Sequence, residues 1–140
     1  MNKYPEPTVG ALILNSQNKI LLVKSHKWHN KYVIPGGHIE LGEKMEDALK
    51  REIKEETNLD IYGLKFLSIQ EFVFGKTFWK KKHFIFINFY CSIKGNKKII
   101  LNEEAEKFQW CDIDAALKLD LEPATRKTII DYKNIKNRNI

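Results

Sequence analysis

Cysteine is scarce in this chain. Cys91 and Cys111 are the only two, too few for a disulfide framework and without the spacing of a zinc site. They read as small, half-buried thiols in a reducing compartment. Long apolar runs are also missing, and none reaches the length that crosses a bilayer, so no membrane partner is expected. The opening MNKYPEPTVG has neither a long apolar stretch nor a cleavage-site pattern, so a signal peptide is not expected and a cytoplasmic location is. Internal repeats, low-complexity tracts and linkers are absent, which leaves one globular domain over residues 1–140 as the expected organisation. His26, His29, His38 and His83 lack metal-ligand spacing.

What is present is 43% hydrophobic and 11% aromatic residues. That content argues against disorder and suits a single core. The formal net charge is +6, from 24 Lys and Arg against 18 Asp and Glu. A basic surface favours anionic partners such as nucleotides, nucleic acid or acidic lipid. The lysines are spread along the chain, however, which equally fits a lysine-rich composition with no such partner.

Thr8–Leu14 and Lys19–Val23 are β-prone runs around a polar turn and predict a hairpin. Residues 25–31 predict a loop, and Tyr32–Ile34 a short strand stopped by Pro35. Gly36 and Gly37 form a turn before a brief extended piece, His38–Leu41. Residues 43–57 contain no Pro or Gly and predict the strongest helix, with Asn58 as a left-handed C-terminal cap. Long strands follow at Ile61–Phe74 and Lys82–Ile93, joined by the basic and aromatic GKTFWKKK. Short strands are expected at Lys97–Leu101 and Phe108–Cys111, and a short helix at Ile113–Leu119. A last helix is expected from Pro123 to about Asn134, with its apolar side at Ala124, Ile129, Ile130 and Tyr132. Strands, one helix, long strands and then helices define an α+β or mixed-sheet sandwich.

On a helix turning about 100° per residue, Ala48, Leu49 and Ile53 share an apolar arc. Glu52 and Glu56 fall inside it and Glu55 at its edge, while Asp47, Lys50 and Lys54 supply a charged face opposite. Carboxylates crowded beside an apolar stripe repel and lose hydration, so they require pairing or neutralisation. A hard divalent cation such as Mg²⁺, bound by a few carboxylates and substrate phosphates, meets that need. An exposed helix laced with Glu–Arg pairs, Arg51 with Glu55 among them, is the simpler account of an isolated helix of this kind. The glycine turn at a fixed offset ahead of it favours the metal.

That offset resembles the Nudix box. Gly37 is followed after five residues by Glu43, and after seven more by Arg51-Glu52-Ile53-Lys54-Glu55-Glu56-Thr57-Asn58-Leu59. Six of seven fixed letters match in these 23 residues; Asn58 stands where the pattern has glycine, and Asn tolerates the left-handed conformation. The resemblance implies a Nudix-type α/β/α sandwich with a mixed β-sheet and an acid anhydride hydrolase. The implied reaction is metal-dependent hydrolysis of a nucleoside diphosphate linked to another group. Mg²⁺ or Mn²⁺ is the implied cofactor, with Glu52, Glu55, Glu56 and the Gly37 carbonyl as ligands. Glu52 and Glu55 are the implied catalytic carboxylates, Glu52 being the candidate base, and Arg51 and Glu43 orient them.

A further acid is implied from Asn102-Glu103-Glu104-Ala105-Glu106, Glu104 first and then Glu103; a solvated acidic loop is the alternative. Asn102-Glu103-Glu104, Trp110 opening a late strand, Leu119-Asp120-Leu121 and Ala124-Thr125-Arg126-Lys127-Thr128 are similar to Nudix nucleoside triphosphatases acting on pyrimidine deoxynucleotides. Substrate contacts are expected from Trp28 and Phe78, by stacking, from His38 inside the box, and from Arg126 at phosphate. Core packing is an equal reading for Trp28, and an exposed basic helix face for Arg126. Trp79 and Lys76, Lys80, Lys81 and Lys82 are further candidates for base and phosphate.

The leading expectation is cleavage of a (deoxy)nucleoside triphosphate to the monophosphate and pyrophosphate. ADP-ribose and dinucleoside polyphosphates are alternatives within the enzyme class. A non-catalytic nucleotide- or RNA-binding module, motivated by the Gly75–Lys82 hairpin, is the alternative outside it. Three intact glutamates argue against a pure binder. Monomer and homodimer are both open.

Overall fold

In the computed structural model, which describes residues 3–138, strand β1 (Glu6–Leu14) is the axis. Residues 8–13 are buried without a break. Val9, Ala11 and Ile13 enter one hydrophobic cluster and Leu12 another, as the two-residue period of a strand covered on both faces requires. Around it lie β2 (Ile20–Ser25), a 3-10 turn (His26–Trp28), β3 (Lys31–Val33), β4 (Gly36–His38), α1 (Met45–Thr57), β5 (Asp60–Val73), β6 (His83–Lys94), β7 (Lys107–Cys111), α2 (Ile113–Ala116) and α3 (Pro123–Arg138).

The sheet is mixed, in the order β3-β2-β1-β6-β5, with β4 also on β1 and β7 also on β2. β1 and β6 run parallel from Glu6↔Phe84 to Leu14↔Ser92. The expected β1–β2 hairpin forms only next to its turn, at Leu14↔Ile20. Farther along, β1 pairs with β4 instead, through Thr8↔His38, Val9↔Gly37 and Gly10↔Gly36. β2 turns to β3 and β7. This divergence opens the cleft described below, with Val9, Gly10, Val23, Val33, Ile34 and Pro35 on its walls.

One face of the sheet takes α1, whose Ala48, Leu49 and Ile53 pack with Leu21, Leu59, Ile61 and Phe89. Burying each Leu or Ile here contributes about 1.5–3 kcal/mol. The other face takes α2 and α3, with Ala116, Ile129 and Tyr132 against Leu12, Leu22 and Leu67. The result is the α/β/α sandwich with a mixed sheet.

Several boundaries differ from expectation. α1 starts at Met45 and leaves Glu43 in a turn, where Glu43 N donates to Glu40 O at 2.9 Å. Asn58 takes φ 69° and its N–H donates to Lys54 O, so the asparagine supplies the left-handed cap directly. The Lys97–Leu101 strand does not form; Ile100 N is satisfied by Thr57 O at 3.0 Å outside any ladder. β7 opens at Lys107, with Trp110 its fourth residue. α3 buries Thr125 and Thr128 with Ile129 and Tyr132, and leaves Ile130 exposed. The threonines are admitted because their surroundings are polar. Thr128 Oγ1 donates to Ala124 O at 2.9 Å and receives Gln70 Nε2 at 2.8 Å and Asn88 Nδ2 at 3.3 Å. Both cysteines are free and more deeply buried than half, and burial pushes Cys91 up to about 12. Among the described residues no helix is long and apolar enough to cross a membrane.

Candidate functional site

β4 is built from glycine for a steric reason. A Cβ on Gly36 would strike Val9 O, and one on Gly37 would strike the Glu52 carboxyl. The glycines therefore let backbone, strand and carboxylate lie in contact. Gly36 N donates to Glu56 Oε2 at 3.2 Å. The expected Gly36–Gly37 turn is instead extended strand, paired with β1 and without positive φ; Glu52 and Glu56, one turn apart on α1, are thus aimed at β4.

Burial raises the Glu52 carboxyl above its ordinary range, with Arg51 pulling the other way. Glu56 is raised further, by burial first and then by the charge of Glu52; Glu104 adds to it. The two carboxyls touch and both are raised, so the pair as a whole favours binding a proton. This is a pair that holds a proton for want of a positive charge.

Arg51 organises the neighbours. Its Nε and Nη2 bind Glu43 Oε2 and Oε1 at 2.7 and 2.9 Å, its Nη2 also reaches His38 O at 3.0 Å, and its Nη1 reaches Glu52 Oε1 at 3.1 Å. The bidentate Arg51 contact holds Glu43 down at about 2. Glu55 stays beside Glu52, sharing Arg51 Nη1 with it, but lies farther out in solvent. Its side chain is 55% exposed, against 15% for Glu52, and it pairs with Arg51 Nη1 at 3.3 Å. A position at the edge of the helical arc leaves it at the rim.

The loop ahead of β7 brings Glu104 to the same end of the cleft. Its Oε2 accepts from Lys27 Nζ at 2.7 Å. Next to it, Glu106 Oε1 accepts from His26 N at 3.1 Å. Glu103 does not line the cleft. Among the described residues, no three His, Cys, Asp or Glu side chains converge as a closed cation cage. The donor set nonetheless fits a hard divalent ion. It is all oxygen, negatively charged and short of positive charge, and Mg²⁺ takes one or two carboxylates and completes its shell with water and phosphate. Glu52 and Glu56 offer two such carboxylates, and Glu104 is paired with Lys27.

The cleft has a volume of about 250 Å³. Part of its lining is aromatic. Trp28 meets Phe78 with ring centroids 4.4 Å apart, and Phe78 meets Phe84 at 5.1 Å. Trp28 and Phe78 both line it, as does His38, whose ring is committed to Glu6 Oε1 at 2.8 Å. Arg126 does not line it. Its guanidinium donates to Leu117 O and Leu119 O at 2.8 and 3.2 Å, and so ties the turn after α2 instead of meeting phosphate. Trp79 stands outside against His26, and Lys76, Lys80, Lys81 and Lys82 are outside too.

Lys27, Phe84, Phe86, Asn88 and Glu122 are among the lining residues that the sequence did not single out. Glu122 is buried, and burial raises its carboxyl. Its Oε2 accepts from Ala124 N and Thr125 N at 2.8 and 3.2 Å, and its Oε1 from Thr77 Oγ1 at 3.1 Å. An acid directly before a proline that starts a helix was the available signal, since such a residue can satisfy the unpaired first-turn N–H groups.

Comparison with known proteins agrees with this geometry. Residues 4–132 match the NUDIX domain family. The nucleoside triphosphatase NudI of Enterobacter sp. (strain 638) is 33% identical over 131 residues, covering 86% of this chain and 92% of that protein. The NAD-capped RNA hydrolase NudC of Pseudomonas aeruginosa (strain LESB58) is 23% identical over 94% of this chain, which spans 45% of that longer protein. Among solved structures, a MutT NUDIX hydrolase from Burkholderia pseudomallei superposes with TM-score 0.78 at 23% identity, covering 92% of this chain and 98% of that one. The NUDIX domain of Shewanella oneidensis NrtR, solved with ADP ribose, gives 0.79 at 17% identity, covering 95% and 89%. A likeness that runs from residue 4 to residue 132 leaves no other assignment: this chain belongs to the Nudix family of hydrolases.

Proposed function

We propose that this single domain is a Mg²⁺- or Mn²⁺-dependent pyrophosphohydrolase that converts a (deoxy)nucleoside triphosphate to the monophosphate and pyrophosphate. The observation that carries this reading is one cleft with two unlike parts. The Glu52–Glu56 pair lies against β4, and Trp28, Phe78, Phe84 and Phe86 line the same cleft. A triphosphate fits the first and a base the second. NudI, whose name gives nucleoside triphosphates as its substrates, matches over most of both chains.

Glu52, Glu56 and Glu104 would hold the cation, with the Gly37 carbonyl beside them. When bound, it draws charge from the phosphoryl oxygens and makes water more acidic. Glu52 takes the proton of the attacking water. The new P–O bond forms as the bridging P–O bond breaks, and pyrophosphate leaves. Arg51 aims Glu52 and favours its charged form against burial, Glu43 keeps Arg51 in place, and Trp28 and Phe78 exclude water from the base and stack on it.

ADP-ribose is the second reading, motivated by the NrtR neighbour solved with that ligand. A panel of nucleoside triphosphates, ADP-ribose, dinucleoside polyphosphates and capped RNA, assayed with Mg²⁺, separates the two. Release of pyrophosphate from triphosphates at the highest kcat/KM is expected. Turnover confined to ADP-ribose would transfer the assignment, and binding without turnover in any arm would make the chain a binding module.

A further inference from the structure

The cleft is rich in carboxylates and poor in positive charge. Glu52, Glu56, Glu104 and Glu122 line it, and Lys27 is the only Lys or Arg side chain among its described lining residues. The Lys27 ammonium lies 5.8 Å from the centre of the Trp79 ring, which does not line the cleft. Its Nζ lies 2.7 Å from Glu104 Oε2, on the acid that reaches toward Glu56. Nothing about residues 25–31 as a polar loop singles it out. The fold does, by laying the 3-10 turn against the loop ahead of β7.

We propose that Lys27 is a placeholder cation, which occupies Glu104 while no divalent ion is bound and passes to a phosphate oxygen of the substrate when the ion takes Glu104. The proposal rests on the pyrophosphohydrolase reading of the same cleft.

Four observations carry it. The pair is half exposed, with side-chain accessibilities of 29% for Lys27 and 39% for Glu104, and ion pairs of this kind hold weakly. A divalent cation with twice the charge displaces the ammonium readily. The Lys27 backbone is fixed on both sides: its N–H donates to Ser25 Oγ at 3.2 Å, and its carbonyl accepts from Trp79 N at 2.8 Å. Only the flexible four-carbon stem has to move, which is the behaviour of a lysine point charge rather than of an arginine fork. The loop carrying Glu104 does not need Lys27 to stay in place. Glu106 N donates to Lys24 O at 2.9 Å, Glu106 Oε1 holds His26, and Asn102 Oδ1 accepts from Glu104 N at 2.9 Å. Finally, a polyphosphate entering this cleft finds no other side-chain ammonium or guanidinium among the described lining residues.

A brace and a placeholder respond oppositely to Lys27→Met, which keeps the length of the stem and removes its charge. Two affinities are measured on the full chain: Mn²⁺ alone, by electron paramagnetic resonance of the free ion, and tripolyphosphate at saturating Mg²⁺, by calorimetry. A placeholder predicts Mn²⁺ binding about threefold tighter, since a weak competitor is gone, and tripolyphosphate binding about tenfold weaker, since a charged contact is lost. Lys27→Arg restores tripolyphosphate binding. Glu104→Gln weakens Mn²⁺ but leaves tripolyphosphate binding within about twofold, because the freed ammonium is still available. Weakening of both ligands in Lys27→Met, or an unchanged Mn²⁺ affinity, overturns the proposal and makes Lys27 a brace. The proposal fails separately from the parent reading. If Glu56→Gln binds Mn²⁺ as wild type does, the metal site itself is misplaced, whatever Lys27 does.

Discussion

The acid part and the aromatic part of the cleft are assembled in opposite ways. The acid part comes mainly from one continuous stretch, residues 36–56, in which two glycines and one helix hold every group except Glu104. The aromatic part is gathered from Trp28, Phe78, Phe84 and Phe86 and closed by Glu122. No two of these five are adjacent in sequence, and they come from the 3-10 turn, β6 and two connections. A local construction holds reacting groups at set offsets. A distributed one is free to change which base it admits without disturbing them.

The largest test of that division is Glu56→Gln. It should lower kcat/KM by about 10³-fold, or about 4 kcal/mol of transition-state stabilisation, while the thermal midpoint holds or rises, since the neutral amide no longer forces charge into a buried site. Retained activity would detach the chemistry from the acid part. Trp28→Leu in the other part should raise KM about tenfold with kcat nearly unchanged, the size of one lost base stack. A fall in kcat of the same size would mean that the two parts are mechanically joined.

A smaller effect concerns the frame of the acid part. Glu43 is held at about 2 in the folded chain by Arg51, below its ordinary 4.5. Its folded-state pKa is depressed, so its contribution to stability is fully present above 4.5 and is lost as pH falls toward about 2. The urea midpoint should therefore drop across that window in wild type, and less steeply in Glu43→Gln. The smallest change is expected at Asn58→Gly, which restores the glycine of the box. Relief of the left-handed backbone offsets loss of the Asn58 Nδ2 contact to Lys98 O at 3.1 Å. Stability should move by no more than about 0.5 kcal/mol, with kcat unchanged.

Much of α1 was legible because a helix maps sequence offset onto direction. Glu52 and Glu56 fall on the apolar arc by arithmetic alone, and both are turned inward. Glu55 sat at the edge of that arc, where arithmetic cannot decide, and Arg51 drew it to the rim. Arg126 looked like a phosphate contact in the sequence and is spent on two carbonyls, whereas His38 does line the cleft, its ring bonded to Glu6. Lys97–Leu101 has strand composition and no strand partner, since composition does not supply a neighbour with matching free N–H and C=O groups.

By itself, then, the sequence determined the family, the α/β/α class, and the offsets that place a glycine pair, an arginine and two glutamates along one short segment. Those are consequences of covalent order and helical period. The tertiary structure alone decided that β1 and β2 part after Leu14 to open a cleft, that Glu122, Asn88 and Thr128 line it, and that Lys27 meets Glu104 across 77 residues of chain. Contacts at such separations are chosen by how the sheet is ordered and which loops it lays side by side, and no local period records them.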